Sequence, residues 1–229
     1  TAGFDNAVFV CDVVLTLVHV DLLDDLGGTT LIARRDPQNP KKAFLASTDR
    51  AFRPVNMTVG PDGALYLLDM HRDVIEHPEW IPDEIEEKQD LDAGKTQGRI
   101  YRITTKKQEF APIDVNLEAR TNAELAAMFQ YEENGWNRKT AQRLLIERNA
   151  LDVIPELSER ISRRFIVHPS SAIPAMWTLE ALGKLSDDQL VTLIKHGDPR
   201  SEQALIIAET RINSSQAVRD AVISSNHSS

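Results

Sequence analysis

Apolar and polar residues alternate over short runs in the first hundred residues, which is the pattern of β-strands. Residues 4–10 and 13–20 are rich in Val, Phe and Leu, and residues 29–33 form a similar shorter run. Each run has a length typical of a strand and is bounded by polar or glycine residues. The pattern predicts three strands in the first third of the chain.

A β-hairpin over residues 54–69 is the clearest element of this part. Its turn is Pro61-Asp62-Gly63, in which proline presets the first turn position and glycine accepts positive φ. The flanking residues 55–59 and 65–67 alternate with period two. Residues 98–103 predict a closing strand, with Ile100 and other apolar residues between arginines.

An insertion over residues 71–97 separates the hairpin from the closing strand. Between Asp73 and Asp92 it holds nine acidic residues and one base, Lys88, so this stretch carries −8 of the chain's net −9. Residues 81–88 predict a short helix. We interpret the stretch as a solvated acidic loop, with carbohydrate or metal-ion binding as the alternative.

The second half of the chain has the spacing and the caps of helices. Thr121 to Glu124 and Ser186 to Gln189 are capping boxes, and Asp198-Pro199 is an N-cap followed by proline at the first helical position. Three shorter helices are predicted, over residues 122–131, 152–163 and 187–195. A second helix is predicted after each of them, and the breaks before these second helices are Asn134-Gly135, His168-Pro169 and Gly197-Asp198-Pro199, respectively. Breaks about 30 to 35 residues apart predict a HEAT- or armadillo-type α-solenoid, and a two-layer helical bundle is the alternative.

These patterns predict a mixed fold, β then α. The β part spans residues 1–105 with the insertion 71–97, a linker spans 106–120, and helical repeats span 121–229. The composition of 41% apolar and 27% charged residues is that of a folded domain. No Lys/Arg cluster suited to nucleic acid is present, and no apolar run reaches the roughly 18 residues that a membrane span needs.

Few side chains point to catalysis. The single cysteine, Cys11, excludes a disulfide framework, a cysteine zinc site and a haem attachment motif in this chain, and its apolar neighbours predict a buried strand position. There is no nucleophile elbow, P-loop, dinucleotide fingerprint or zincin motif. His19 follows a predicted strand and is interpreted as an ordinary strand-end residue.

Metal-capable side chains occur in and beside the insertion, but their spacing matches no closed site. The set comprises His71 and His77 with four acids, Asp69, Asp73, Glu76 and Glu79. We therefore predict no metal site and assign these residues to the surface and to loop packing.

Arg53 is the charged residue best placed to contact a ligand. It lies between Phe52 and Pro54 just before a predicted strand, and its planar fork suits a carboxylate or a quinone oxygen. The physical argument alone favours an internal salt bridge, for example with Asp49 or Asp69.

Several short motifs, taken together, resemble one family of membrane-bound dehydrogenases abundant in Planctomycetes. The motifs are residues 44–49, Phe52-Arg53-Pro54-Val55-Asn56, residues 60–66, Asp69-Met70, residues 75–82, 98–103 and 134–145. Members of that family are exported and carry a six-bladed β-propeller resembling soluble glucose and sorbosone dehydrogenases, which use pyrroloquinoline quinone (PQQ). HEAT-like repeats follow, and often a c-type cytochrome domain.

The resemblance implies oxidation of a sugar or polyol by a periplasmic or membrane-associated protein, with Arg53 contacting PQQ. It places the catalytic base and most calcium and quinone ligands upstream of Thr1, and haem c in another domain. About one hundred residues make at most two four-stranded blades, so missing blades or a partner protein would complete the propeller. A non-catalytic propeller and HEAT interaction scaffold is the alternative, favoured where the sequence departs from the family pattern, after Cys11, His19 and Met70.

Overall fold

Strands occupy the first half of the protein and helices the second, which confirms the predicted order of β then α. The computed structural model describes residues 7–25, 31–37, 39–75, 77–104, 115–131, 134–163 and 169–225. The chain divides into two units, Thr1–Phe110 and Ala111–Ser229. Residues 106–114 of the predicted linker lie outside the described residues, and Leu117–Ala119 near its end form a turn of 3₁₀-helix.

The first sheet is antiparallel and is centred on one long strand. Its strands are β1 (Ala7–Asp12), β2 (Leu17–Asp25), β3 (Leu31–Arg35) and β4 (Leu45–Ala46). Strand β2 pairs with β1 along one edge, and β3 and β4 share its other edge.

The predicted strand over residues 13–20 is wrong in its first half. The Asp12 carboxylate accepts hydrogen bonds from the main-chain N–H groups of Val14 (3.1 Å) and Leu15 (2.9 Å), and Thr16 has φ of 54°. An aspartate that bonds the backbone ahead of it favours a turn over a strand. The apolar side chains of Val14 and Leu15 are therefore exposed at the tip of a hairpin.

The second sheet confirms the predicted hairpin and its closing strand. It consists of β5 (Pro54–Val59), β6 (Leu65–Asp69) and β7 (Arg99–Ile103) in that order, all antiparallel. At the turn Gly63 has φ of 72°, and the Asp62 carboxylate accepts from Ala64 N. Burial would raise the pKa of this carboxyl, but hydrogen bonds from Arg102, Ala64 and Tyr66 lower it overall.

The two sheets share a small apolar core. Val18, Phe52 and Leu67 are buried at its centre, and Phe9 packs edge-on against Phe44 with ring centroids 4.8 Å apart. The opposite face of the second sheet is less covered. Leu68 and Ile100, paired across β6 and β7, are 38% and 67% exposed.

The insertion contains less helix than predicted over residues 81–88. Pro78–Trp80 form a 3₁₀ turn and α1 spans only Asp83–Glu86. Pro82 stands at its N-cap, and none of its residues is buried. A short exposed helix without tertiary contacts is marginal, so it ends after one turn.

The described residues of the second unit form seven α-helices. They are α2 (Asn122–Tyr131), α3 (Gly135–Glu147), α4 (Ile154–Ser162), α5 (Pro169–Ala181), α6 (Asp187–Ile194), α7 (Pro199–Glu209) and α8 (Gln216–Ser225). The first six are the helices predicted as three pairs, and α2 packs on α3, α4 on α5 and α6 on α7. Helix α8 was not predicted, and residues 226–229 lie outside the described residues.

The predicted helix caps are confirmed. Thr121 and Glu124 bond each other's main-chain N–H groups. Ser186 and Gln189 do the same, and the Asp198 side chain caps α7.

Helices α3 and α5 also end in the same way. Asn149 (φ 48°) and Gly183 (φ 66°), 34 positions apart, each take the left-handed conformation. The next residues, Ala150 and Lys184, donate to the carbonyls of Leu145 and Leu179.

A buried arginine joins two helix ends within this unit. Arg200 is 1% exposed, and its guanidinium donates to both Asp198 oxygens and to the carbonyls of Ile161 and Arg163 at the end of α4. It thereby satisfies carbonyls that a helix C-terminus leaves unpaired. The same guanidinium lowers the pKa of the Asp198 carboxyl through a hydrogen bond.

Replacing Arg200 with methionine removes these bonds, so the Asp198 carboxylate loses its counter-charge and two carbonyls lose these donors. We expect Arg200→Met to lower the free energy of unfolding of the helical unit by about 3 kcal/mol. Arg143→Met is the control, because Arg143 makes an exposed pair with Glu147 and its loss should cost less than about 0.5 kcal/mol. Urea unfolding followed by helical circular dichroism checks both, and equal midpoints for the two variants would contradict this role.

Candidate functional site

Arg53 lies at the base of the insertion, where the second sheet begins. Its neighbour Pro54 pairs with Asp69 at the end of β6. One Asp69 oxygen, Oδ1, accepts hydrogen bonds of 2.8 Å from the main-chain N–H groups of both Arg53 and His71. Asp69 therefore fixes the main chain at Arg53, just before β5, and at His71, just after β6.

The Arg53 guanidinium donates to three main-chain carbonyl oxygens. Nε bonds Arg72 O at 2.8 Å, Nη1 bonds Val13 O at 2.9 Å and Nη2 bonds Asp73 O at 2.8 Å. The side chain thus joins the β1–β2 turn to the start of the insertion. The residue is only 9% exposed.

The internal salt bridge expected for Arg53 is wrong. Asp69 Oδ1 is already bonded to two main-chain N–H groups, and Asp49 bonds Ala51 N within its own turn. Neither carboxylate faces the guanidinium as an ion-pair partner among the described residues. The positive charge of Arg53 is instead held by carbonyl dipoles, which solvate it without neutralising it.

A cavity of about 230 Å³ lies beside Arg53. The polar part of its lining is Arg50, Arg53, Asp73 and Gln89. Two guanidiniums and one carboxylate leave a net charge of +1 on this lining, although the insertion around it is acidic. Such a lining favours an anionic ligand group over a cationic one.

The rest of this cavity is apolar, and a second cavity lies behind one of its walls. Val14 and Ile81 complete the first lining together with Val74 and Ile75. Val74 and Ile75 also line a cavity of about 710 Å³, whose charged residues are Arg72, Asp92 and Lys95. The segment at 74–75 therefore lines both of these open depressions.

His71 is held in an unusual backbone conformation at this junction. Its φ is 51°, a left-handed value that is uncommon for residues other than glycine. Its buried Nδ1 lies 3.6 Å from Asp69 Oδ2, and neither atom has a hydrogen-bond partner among the described residues.

Gly94 explains how the insertion closes over His71. It has φ of 83°, and a Cβ at this position would stand 2.1 Å from the His71 carbonyl oxygen. Arg72 Nη2 donates to Leu91 O nearby. The two ends of the insertion therefore meet backbone to backbone.

The structure does not bring the metal-capable residues together. Asp69 and His71 are adjacent, but His77 instead accepts from Glu79 N and lies near Trp80, with ring centroids 6.1 Å apart. Glu76 lies outside the described residues. Within the described part of the chain, no three His, Cys, Asp or Glu side chains are placed to hold a metal ion.

His19 and Cys11 lie in the first sheet, away from the cavities. His19 Nδ1 is 3.1 Å from Asp21 Oδ1 on the same strand, and Arg35 on β3 is close to the same oxygen. Cys11 packs against the small core, and burial raises the pKa of its thiol. The predicted strand position of Cys11 is confirmed, but its side chain is only partly buried. His19 lies within β2 and not after a strand as predicted.

Arg50, Gln89 and Gly94 were not predicted from the sequence. Arg50 is three residues before Arg53, a spacing that signals nothing in an irregular loop. Gln89 reaches the cavity only because the insertion folds back. A lone glycine within an acidic loop was the one signal available for Gly94.

Comparison with known proteins gives one match. Residues 1–107 match a family described as Domain of unknown function (DUF7133). No curated protein and no solved structure matches the chain. The match covers the β part of the chain, and because its description names no activity, it assigns none.

Exchange of Gly94 for alanine tests the closure of the insertion. The added Cβ would collide with the His71 carbonyl, so we expect Gly94→Ala to lower the local opening free energy by about 3 kcal/mol. Gly63→Ala is the matched control, because Gly63 also has positive φ but no atom within 4 Å of its Cβ position. Tryptic cleavage after Arg72 should be about 100-fold faster in Gly94→Ala and less than tenfold faster in Gly63→Ala. Equal rates would show that the close approach does not hold the insertion.

Proposed function

We propose that the chain is part of an exported, quinoprotein-dehydrogenase-like protein that oxidises a sugar or polyol with PQQ. The observation that carries this proposal is the cavity beside Arg53. Arg50 and Arg53 line this open depression together with the apolar side chains of Val14, Val74, Ile75 and Ile81. Ligand sites of enzymes commonly combine an apolar lining with a few convergent polar groups.

The residues of the cavity fit a group that bears carboxylates and quinone oxygens. Guanidiniums bind both kinds of oxygen through paired N–H donors. Three of the five N–H donors of Arg53 are bonded to carbonyls, which leaves one on Nη1 and one on Nη2. When bound, PQQ would supply the two-electron redox chemistry, while Arg53 and Arg50 would orient it and offset its negative charge.

The fold supports the propeller part of the proposal. Two antiparallel sheets that pack on one small core are what neighbouring propeller blades would form. The exposed Leu68 and Ile100 suit a face that a further blade would cover. We therefore propose incomplete propeller blades for the first unit.

The helical unit supports the HEAT-like repeats in this proposal. Its three helix pairs, with matching helix ends at Asn149 and Gly183, suit HEAT-like repeats. The catalytic base, the calcium ligands, the remaining blades and a haem c electron acceptor come, in this proposal, from outside the 229 residues. A periplasmic or membrane-associated location is part of the same proposal. No helix of the described residues is long and apolar enough to cross a membrane.

A non-catalytic scaffold, possibly one that binds carbohydrate, is the second candidate. The hydrogen bonding of Arg53 favours it, because most of its donors hold main-chain carbonyls. Propellers and helical repeats both serve widely as interaction surfaces. Quinone binding separates the two candidates.

Titration of the native full-length protein with PQQ in the presence of calcium tests the proposal by absorbance. We expect saturable binding, weakened about tenfold by Arg53→Lys because a planar fork is replaced by a point charge. Arg34→Gln is the control, since Arg34 is exposed on β3 and pairs with Asp24. Absence of binding by the wild-type protein would contradict the dehydrogenase function and favour the scaffold.

A further inference from the structure

We infer that the outer side of the insertion is a docking surface for an arginine-bearing, positively charged segment of a partner protein. The surface consists of Trp80 and the exposed acidic side chains that lie close to it in sequence, and we call it the Trp80 surface. It is separate from the two cavities, because Trp80 lines neither of them. The inference is therefore independent of the proposed function.

Trp80 is the apolar anchor of this surface. It is 77% exposed, the highest value among the large apolar residues that the structure describes. Within the described residues its aromatic contact is with His77, which is itself exposed and whose ring centroid lies 6.1 Å away. Tryptophan is highly buried on average, and it is enriched among the residues that contribute most to binding at protein interfaces. Its exposure here indicates a contact with another molecule.

The main chain holds Trp80 in this exposed position. Its N–H donates to the His77 carbonyl at 2.9 Å, in the 3₁₀ turn Pro78–Trp80. The next residue, Ile81, lines the cavity beside Arg53 and is partly buried. The chain at this point therefore has an inner side that contacts the rest of the unit and an outer side that presents Trp80. An anchor that is held in place before binding loses little conformational entropy when a partner binds.

The charge next to Trp80 is of one sign. Residues 77–90 contain six acids and one base, Lys88, which gives the segment a charge of −5. The described salt bridges of the insertion involve Asp92, with Arg72 and Lys95. Among the described residues, no acid of residues 77–90 is part of a salt bridge, so the protein does not offset their charges. Like charges that are close together repel one another, and a cationic partner would relieve that repulsion.

These two features together favour a cationic protein segment over a carbohydrate. A sugar ring also packs on the face of a tryptophan, but a neutral sugar gains nothing from an excess of negative charge. An arginine uses both features, because its planar guanidinium stacks on the indole ring and its N–H groups donate to carboxylates. Glu79 and Glu84, at one and four positions from Trp80, are both exposed and available as acceptors. The segment that docks is therefore expected to carry several arginines.

Fluorescence anisotropy with three labelled decapeptides tests the inference on the 229-residue chain. In each peptide glycine alternates with one charged residue, which is arginine, lysine or glutamate. We expect the arginine peptide to bind, and the lysine peptide to bind about threefold more weakly because an ammonium stacks less well than a guanidinium. The glutamate peptide should not bind. Added salt should weaken the binding of the arginine peptide, because it screens exposed charges.

Removal of the anchor and removal of the charge should each weaken the binding of the arginine peptide. We expect Trp80→Ala to weaken it about tenfold, and the double variant Glu79→Gln with Glu84→Gln to weaken it about fivefold. All three side chains are exposed, so the variants should fold as the wild type does.

Matched controls lie in the helical unit. Leu151→Ala truncates another exposed apolar side chain, and Glu202→Gln with Glu209→Gln removes two exposed acids of α7. Each control should change the binding by less than about twofold. The second control separates a local effect of Glu79 and Glu84 from the loss of two units of net charge.

Absence of binding by the arginine peptide, or binding that Trp80→Ala leaves unchanged, overturns the docking surface. Equal weakening by the two glutamine pairs also overturns it, because attraction to the net charge of the chain would then account for the binding. Cellohexaose is titrated in parallel, and Trp80-dependent binding of this sugar without binding of the arginine peptide overturns the inference in favour of a carbohydrate site. Failure of PQQ to bind contradicts the proposed function alone, since Trp80 lies outside both cavity linings.

Discussion

The first unit depends on one buried guanidinium bonded to carbonyl oxygens from separate parts of the chain. Arg53 connects the turn after β1, at Val13, to the first residues of the insertion, at Arg72 and Asp73. Asp69 holds the main chain of Arg53 from the other side. Among its described residues, the apolar core of this unit has only three buried members, so these polar contacts carry much of the fixing of the insertion. Arg53 and the close approach of Gly94 to His71 are the contacts that join the insertion to the rest of this unit beside the two cavities.

The helical unit also contains a buried arginine that donates to main-chain carbonyls. Arg200 is buried and donates to carbonyls at the end of α4, which no helical N–H can reach. The difference lies in the counter-charge. Arg200 is paired with Asp198, whereas the partners of Arg53 among the described residues are carbonyl dipoles. A buried guanidinium that is fully paired is a structural device, and one that borders a cavity without a carboxylate partner is available to a ligand as well.

Much of the fold could be predicted from the sequence, because local signals agreed with one another. Helix caps and tight turns depend on contacts between residues that are close in sequence. The structure has the caps at Thr121, Ser186 and Asp198 and the turn at Pro61-Asp62-Gly63 where the sequence indicates. The strand predicted over 13–20 failed because Asp12 bonds the backbone ahead of it, a competition that an apolar pattern does not reveal. For the candidate site, Arg53 was recognised but its partners were not. Val13, Arg72 and Asp73 meet it through main-chain carbonyls, which every residue has, so no side-chain pattern identifies them.

Hydrogen exchange of the Arg53→Met variant is the most direct test of the central claim that Arg53 ties the insertion to the first sheet. The account predicts faster exchange both in the turn at residues 13–16 and in the insertion at 72–75 and 91–95, with exchange in helices α2 to α8 unchanged. Arg99→Met, which alters an exposed arginine, should leave all these segments as in the wild type. Faster exchange confined to residues next to position 53, with the turn and the insertion still protected, would contradict the account.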